Sequence, residues 1–260
     1  MKKILKRAVY LLSVLILINP AFSQEEQSPA DNTQTESIEK KPAAENGTQT
    51  ESVKKKPSPF GFYLGTGVVV SRSDKEEDPP AGAAFNLGGE YEYRFAKYGA
   101  INPSVDFSFF HYGWTGKKAA ITEIENRTAL TFNLLTELPL MMVIDIKQWT
   151  VSFGGGIGFL IRFGVLEPGV KPKERTPGSS LTAAEELGAI NRYFWQNGRF
   201  FYPTLRFKTE YTFTSGWKTG LQIKAALPIF NAWDKAVPKP PFADGMLIQI
   251  GVILHPAQRY

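Results

Sequence analysis

The chain carries two histidines and no cysteine, which narrows the chemistry open to it. Without cysteine there are no disulfides, thiolate metal ligands or thiol nucleophiles. Covalent catalysis would then need a hydroxyl beside a histidine that an acid orients. His111 stands in Phe109-Phe110-His111-Tyr112-Gly113-Trp114 with Ser108 and Thr115 near in sequence, and His255 lies close to the end of the chain. Neither has a spacing that assembles a triad, so the expectation is no enzyme, no metal and no cofactor. Gly154-Gly155-Gly156 followed by Gly158 lacks the helix and the fixed-offset lysine of a phosphate-binding loop. It reads instead as backbone packed closely against long side chains such as Arg206. What remains is charge. Glu90, Glu92, Asp106, Glu137 and Glu210 share the alternating polar face of their segments with Arg94, Arg162, Arg206, Lys208, Lys218 and Lys224. Nearly equal numbers of both signs point to internal ion pairing; a selective pore would favour one sign.

The segments that carry these charges alternate with a period of two. From Phe201 to Phe213 the odd positions are Phe201, Pro203, Leu205, Phe207, Thr209, Tyr211 and Phe213, and the even ones include Arg206, Lys208 and Glu210. The opposite register would put Arg206 and Lys208 in hydrocarbon at about 2–4 kcal/mol each near the bilayer midplane, so the apolar face is the one that meets lipid. Eight such segments are expected near 60–72, 83–95, 101–112, 127–138, 148–163, 200–213, 217–229 and 245–255. Long polar connections at 73–82, 113–126, 164–199 and 230–244 alternate with short ones around 96–100, 145–147 and 214–216. This is the threading of an all-β, eight-stranded antiparallel transmembrane barrel with short periplasmic turns and long extracellular loops. An interior of that size is only wide enough for its own side chains. Two readings stay open for it: a plugged, charge-paired lumen or a narrow channel. Across the Thr214–Gly216 turn, outward residues are odd on both sides, so a three-residue connection with Gly216 in the left-handed position fits and pairs Phe213 with Trp217.

Residues 1–23 read as a signal peptide: Lys2, Lys3, Lys6 and Arg7 precede the apolar run Val9–Ile18, and Ala21-Phe22-Ser23 suits cleavage after Ser23. Residues 24–59 form a polar, disordered periplasmic linker in which Asn32–Pro42 returns nearly unchanged as Gly47–Pro57. Its lysines offer a contact to peptidoglycan. The barrel takes residues 60–260. Export, the absence of an 18-residue apolar run after the signal peptide, and alternating strands together place the chain in an outer membrane. The formal charge of +5 is spread out, with no basic stripe beyond Lys54-Lys55-Lys56, so nucleic acid is not an expected partner. Lipid is one, for what reads as a monomer.

The longest loop, Gly164–Arg199, opens with Pro168, Pro172 and Pro177. A short helix is expected behind a serine cap at Ser179-Ser180, with Leu181, Ala184 and Leu187, and then Ile190 or Asn191, on one face. The helix would fold the loop back over the barrel mouth. Tyr193, Phe194 and Trp195 mark a surface-binding site for a host or phage ligand, or an aromatic belt at the membrane edge. Deleting Lys171–Leu187 is expected to leave the barrel folded.

In its signal peptide, alternating strands, unequal connections and aromatic edges, Phe60–His255 resembles the small eight-stranded outer-membrane proteins of the OmpA, OmpX and OmpW type. The linker and the basic, Phe-rich strands suggest a spirochaete member. The resemblance implies roles in envelope integrity, adhesion or, for the OmpW type, uptake of small hydrophobic molecules; an outer-membrane lipid hydrolase is a third reading. Inward Glu90, Arg206, Lys208 and Glu210 depart from the apolar interior of the OmpW type. The end departs as well, since Pro256 is expected to interrupt the last ladder.

Overall fold

The computed structural model describes residues 56–70, 83–122, 128–175, 179–233 and 245–258, all within one unit of the chain, residues 51–260. The signal peptide, its cleavage site, the sequence repeat and the linker up to residue 55 lie outside these.

The alternation described above becomes β1 (Phe60–Val70), β2 (Ala83–Tyr91), β3 (Tyr93–Ala96), β4 (Gly99–Ile101), β5 (Ser104–Trp114), β6 (Ala119–Ile121), β7 (Ala129–Ile146), β8 (Trp149–Leu166), β9 (Thr204–Thr212), β10 (Lys218–Ala226) and β11 (Met246–His255), with one helix, α1 (Ala183–Trp195). β2 and β3 are two parts of one stave, broken at Glu92. β4 and β5 are two parts of the next, broken at Asn102-Pro103. Hydrogen bonds bridge the breaks: Tyr91 N–H donates to the Pro103 carbonyl (2.9 Å), Glu92 N–H to Pro59 (2.8 Å) and Asn102 N–H to Pro139 (3.1 Å). Every stave pairs antiparallel with the next, and β1 pairs with β11 from Phe62↔Leu254 to Val70↔Met246, which closes an eight-staved barrel. Closure removes the unpaired edge that a membrane does not tolerate.

The fourth and fifth staves, β7 and β8, have 18 residues each, longer than their spacing suggests. The fourth stave runs on past its expected end at 138, through Pro139 to Ile146. The Pro139 carbonyl accepts from Asn102, on the side where its missing N–H would also point, and there β4 and β5 are already interrupted. The short turns fall at Lys147-Gln148, where Lys147 has φ 55°, and before Trp217, where Gly216 has φ 88° and Phe213 N–H reaches the Trp217 carbonyl at 2.8 Å.

The wall is uneven in height. β8 pairs with β9 continuously to Gly156↔Thr204 and once more through the Phe159↔Phe201 bridge, yet with β7 it continues to Ala129↔Leu166. α1 packs against the inside of this tall side. Asn191 is tied to both backbone groups of Gly164, at 2.7 and 3.1 Å. The helix begins at Thr182 rather than at the serines: Thr182 and Glu185 form a reciprocal capping box, and Arg175↔Thr182 bridges the loop just before it. Starting there and running through the aromatic tail, α1 buries Ala183, Glu186, Ile190 and Phe194. Of the expected face, Ile190 is buried and Leu187 is half-buried against the core, whereas Ala184 is exposed.

Lys56–Pro59 belong to the fold and not to a disordered linker. Ser58 N–H donates to the Pro256 carbonyl (2.7 Å), Gln258 N–H to Lys56 (2.8 Å), and Pro57 bridges Ala257. The ladder does stop at His255, just before Pro256; beyond it the pairing is the isolated Pro57↔Ala257 bridge, with the Pro256 carbonyl still accepting.

Inward Gly154 and Gly156 are explained by the wall itself. A Cβ on either would meet a β7 carbonyl oxygen, Leu140 at 2.0 Å or Leu138 at 2.1 Å. The close approach is strand to strand; Arg206 is not what these glycines make room for.

Candidate functional site

The barrel interior holds two layers of different chemistry. Toward the periplasmic turns, the alternation on six staves aims charged side chains at one another. Arg206 pairs with Glu90 (2.6 Å) and Glu137, and donates to Ser104 (2.6 Å). Lys208 meets Glu90 at 2.5 Å and Glu210 at 3.6 Å, and Lys218 meets Glu210 and Glu92 at 3.0 Å each. Lys224 pairs with Glu137 (2.6 Å) and Asp106. Arg94 joins Glu92 (2.7 Å) to Asp145 (2.6 Å) at the periplasmic rim. A continuous line of contacts thus runs Asp145–Arg94–Glu92–Lys218–Glu210–Lys208–Glu90–Arg206–Glu137–Lys224–Asp106. All but the rim pair Arg94 and Asp145 are buried or nearly so; the Lys208 and Glu210 side chains are fully enclosed.

The sequence reading did not include Asp145, Ser104 or His255 in this set. Asp145 lay beyond the expected end of its strand, but His255 was legible, because outward Val252 and Leu254 turn it inward. Its Nδ1 is 3.0 Å from the Ser58 carbonyl oxygen, which only accepts, so Nδ1 carries the proton. Its Nε2 faces Glu210 at 3.2 Å and Glu90 at 3.6 Å. Acids Glu90, Glu92, Asp106, Glu137, Asp145 and Glu210 face bases Arg94, Arg206, Lys208, Lys218 and Lys224, with His255 set between Glu210 and Glu90. Gly61 accommodates the ring: a Cβ there would sit 2.6 Å from it. Glu90, Glu92 and His255 offer ligand atoms within 4.8 Å of one another. The ammonium groups of Lys208 and Lys218 already occupy those carboxylates, so the donors do not suit a metal ion.

Arg162 stands apart from the network. It lies in the second layer, toward the extracellular end, 4.2 Å from the Phe194 ring, and donates to the Arg199 carbonyl at 2.8 Å. The residues around it are apolar: Val69, Phe110, Tyr112, Leu135, Leu160, Ile190, Tyr202, Phe230 and Leu247 form one buried cluster with Phe194. Arg199 lies over Tyr193 at 4.0 Å. Of the expected surface triplet, then, Phe194 is core, at 1% exposure, and edge-on to Tyr112 at 5.0 Å, Tyr193 is half-buried, and only Trp195 is exposed. Helical periodicity forces this, since 190 and 194 share a face. Removing Lys171–Leu187 would take out buried Ala183 and Glu186 and unseat Ile190 and Phe194, so the segment is not a dispensable surface loop.

His111 faces outward near the extracellular end, with Nδ1 2.9 Å from Glu167. Ser108 is buried on the opposite face of the same strand, and the Thr115 hydroxyl is bound to the Lys118 carbonyl. Neither of the two hydroxyls near His111 in sequence is therefore aimed at this pair.

The outer surface is apolar throughout the middle. Phe62, Leu64, Leu87, Leu140, Ile157, Leu205, Phe207 and Val252 are exposed, and aromatic rings gather near the periplasmic turns, as in Trp149–Tyr211 (5.1 Å) and Tyr211–Phe213 (4.9 Å). No described helix is long and apolar enough to cross a membrane; this barrel would cross with strands.

No family model and no curated protein matches the chain. Among solved structures it is similar to the outer membrane enzyme PagL (10% identity over 74% of this chain and 97% of that one, TM-score 0.34), to the outer membrane protein OprG from Pseudomonas aeruginosa (10%, 80% and 100%, 0.40) and to Ail, the attachment invasion locus protein of Yersinia pestis (8%, 76% and 97%, 0.33). The assignment stands on the closed strand order, the unequal connections and the outward apolar band: the chain has the fold of a small eight-stranded outer-membrane β-barrel.

Proposed function

We propose that this protein is a non-conducting, non-enzymatic outer-membrane barrel whose filled interior serves as a rigid support for its extracellular face. The observation that carries the reading is the double filling of the lumen, by the ion-paired line in one half and the α1-capped apolar cluster in the other. A rigid barrel leaves its loops free to interact. The exposed chemistry on offer lies on the outer side of α1, at Trp195, and on Lys171, Lys173 and Arg175 before it. A surface or adhesive role fits these, with membrane lipid as the standing partner and the lead-in at Lys56 directing a tether into the periplasm. A lipid-hydrolase role lacks support because neither Ser108 nor Thr115, the hydroxyls near His111 in sequence, is aimed at the His111–Glu167 pair.

A narrow solute path is the second reading. The buried side-chain amides of Asn86, Gln222 and Gln249 have no hydrogen-bond partner among the described residues, and such groups suit water. Planar-bilayer recording of the full mature chain separates the two. The filled-barrel reading expects no stable unitary conductance. A steady ohmic current, enlarged by Arg206→Ala, would replace it with the channel.

A further inference from the structure

The lipid-facing wall is not uniformly thick. Across five neighbouring staves the register aligns the outward residues Phe62, Gly89, Val105, Thr136 and Phe159 in one row. The next row toward the extracellular side is Leu64, Leu87, Phe107, Leu134 and Ile161, large at every position. On the periplasmic side Phe60, Tyr91, Leu138 and Ile157 stand along the row's other flank. Between these flanks, and between the Phe62 and Phe159 rings, the surface drops into a groove of about 730 Å³ whose floor is set by Gly89. The Thr136 hydroxyl bonds to the Phe159 carbonyl (3.4 Å), so it adds no free polar group.

We propose that this groove holds one acyl chain of an inner-leaflet phospholipid. The row crosses four inter-strand steps of about 4.8 Å, roughly 19 Å in all. In a barrel whose strands tilt about 45° it runs obliquely through the bilayer, and its rise matches the roughly 15 Å of hydrocarbon in one leaflet. Its Phe62 end is the one nearer the periplasm, because Phe62 is two residues from the start of β1, while Phe159 lies well up β8. That places the chain in the leaflet facing the periplasm. A chain lying there is enclosed by wall on its sides as well as behind, which sets it apart from lipid elsewhere around the barrel.

The test is native mass spectrometry of the full mature protein from micelles supplied with phosphatidylethanolamine. Gly89→Leu fills the groove from its floor, and a Cβ at Gly89 meets only the Gly61 carbonyl, at 3.7 Å, an ordinary contact. Thr136→Leu fills it from a second position. Thr209→Leu, an outward change on β9 beside Val151 and outside the groove's lining, is the control. Heat-modifiable gel migration establishes that each variant is folded. The expected result is one phospholipid retained by the wild type and by Thr209→Leu, with retention reduced about tenfold in both filling variants. The proposal is overturned if the wild type retains no phospholipid, if the filling variants retain it equally, or if the retained species is lipopolysaccharide.

Discussion

The two halves of the interior solve the same problem by different means. Near the periplasm, short turns hold the staves in tight register, and the lumen is filled by side chains that each stave contributes by itself. Near the extracellular end β9 to β11 stop low, and a segment distant in sequence, α1, supplies the missing core. The lower filling is electrostatic and directional; the upper one is apolar with two arginines stacked on rings. A charged filling is therefore intolerant of losing one partner, whereas an apolar one loses stability in proportion to the volume removed.

The comparison can be broken most severely at Arg206. Arg206→Ala leaves Glu90 and Glu137 enclosed without their shared cation, and we expect a loss of about 3–5 kcal/mol in urea unfolding followed by circular dichroism. Replacing Arg206, Glu90 and Glu137 together with apolar residues of similar size should recover much of that loss; a triple variant as unstable as the single one would mean that packing, not charge, sets the cost. In the upper half, Phe194→Ala should cost roughly 3 kcal/mol through the cavity left beside Tyr112 and Arg162. If the halves are independent, combining it with Arg206→Ala should be additive within about 0.5 kcal/mol, and a larger coupling would show that the two fillings are one unit.

Smaller effects sharpen the picture. Thr182→Ala removes the cap of α1 and should cost about 1 kcal/mol, read as faster amide exchange in the helix. The Glu185 carboxyl is held below its ordinary range by the Thr182 backbone N–H and then by its hydroxyl. The sign follows: that capping contribution is present above the unfolded carboxylate pKa of about 4.3 and is lost as the pH falls through the lower folded value. Protection of the first-turn amides of α1, taken relative to their intrinsic exchange rate, should accordingly fall below about pH 4, and unchanged protection down to about pH 2 would contradict it. Least of all, Asp145→Asn at the exposed rim should change stability by under about 1 kcal/mol, since solvent and salt screen its pair with Arg94.

Much of the wall was legible in the chain, because a strand's period of two is a local property and lipid on one side makes its phase unambiguous. Outward Leu205, Phe207 and Thr209 and inward Arg206, Lys208 and Glu210 needed no tertiary information, nor did the Phe213–Trp217 turn. The same alternation marks His255 as inward. What alternation does not carry is height or partnership. Arg162 and Arg206 are both inward and basic, yet one stacks on Phe194 and the other holds two carboxylates, because the tilt and stagger of eight staves decide which side chains share a level. Pro139 stays within its strand only because a neighbouring stave breaks opposite it. Tyr193-Phe194-Trp195 reads as an exposed aromatic run until α1 docks on its Ile190 face and carries Phe194, one turn on, into the core. The chain's local pattern thus determined which way each strand residue faces; closure of the barrel and the docking of a distant loop decided what each one meets there.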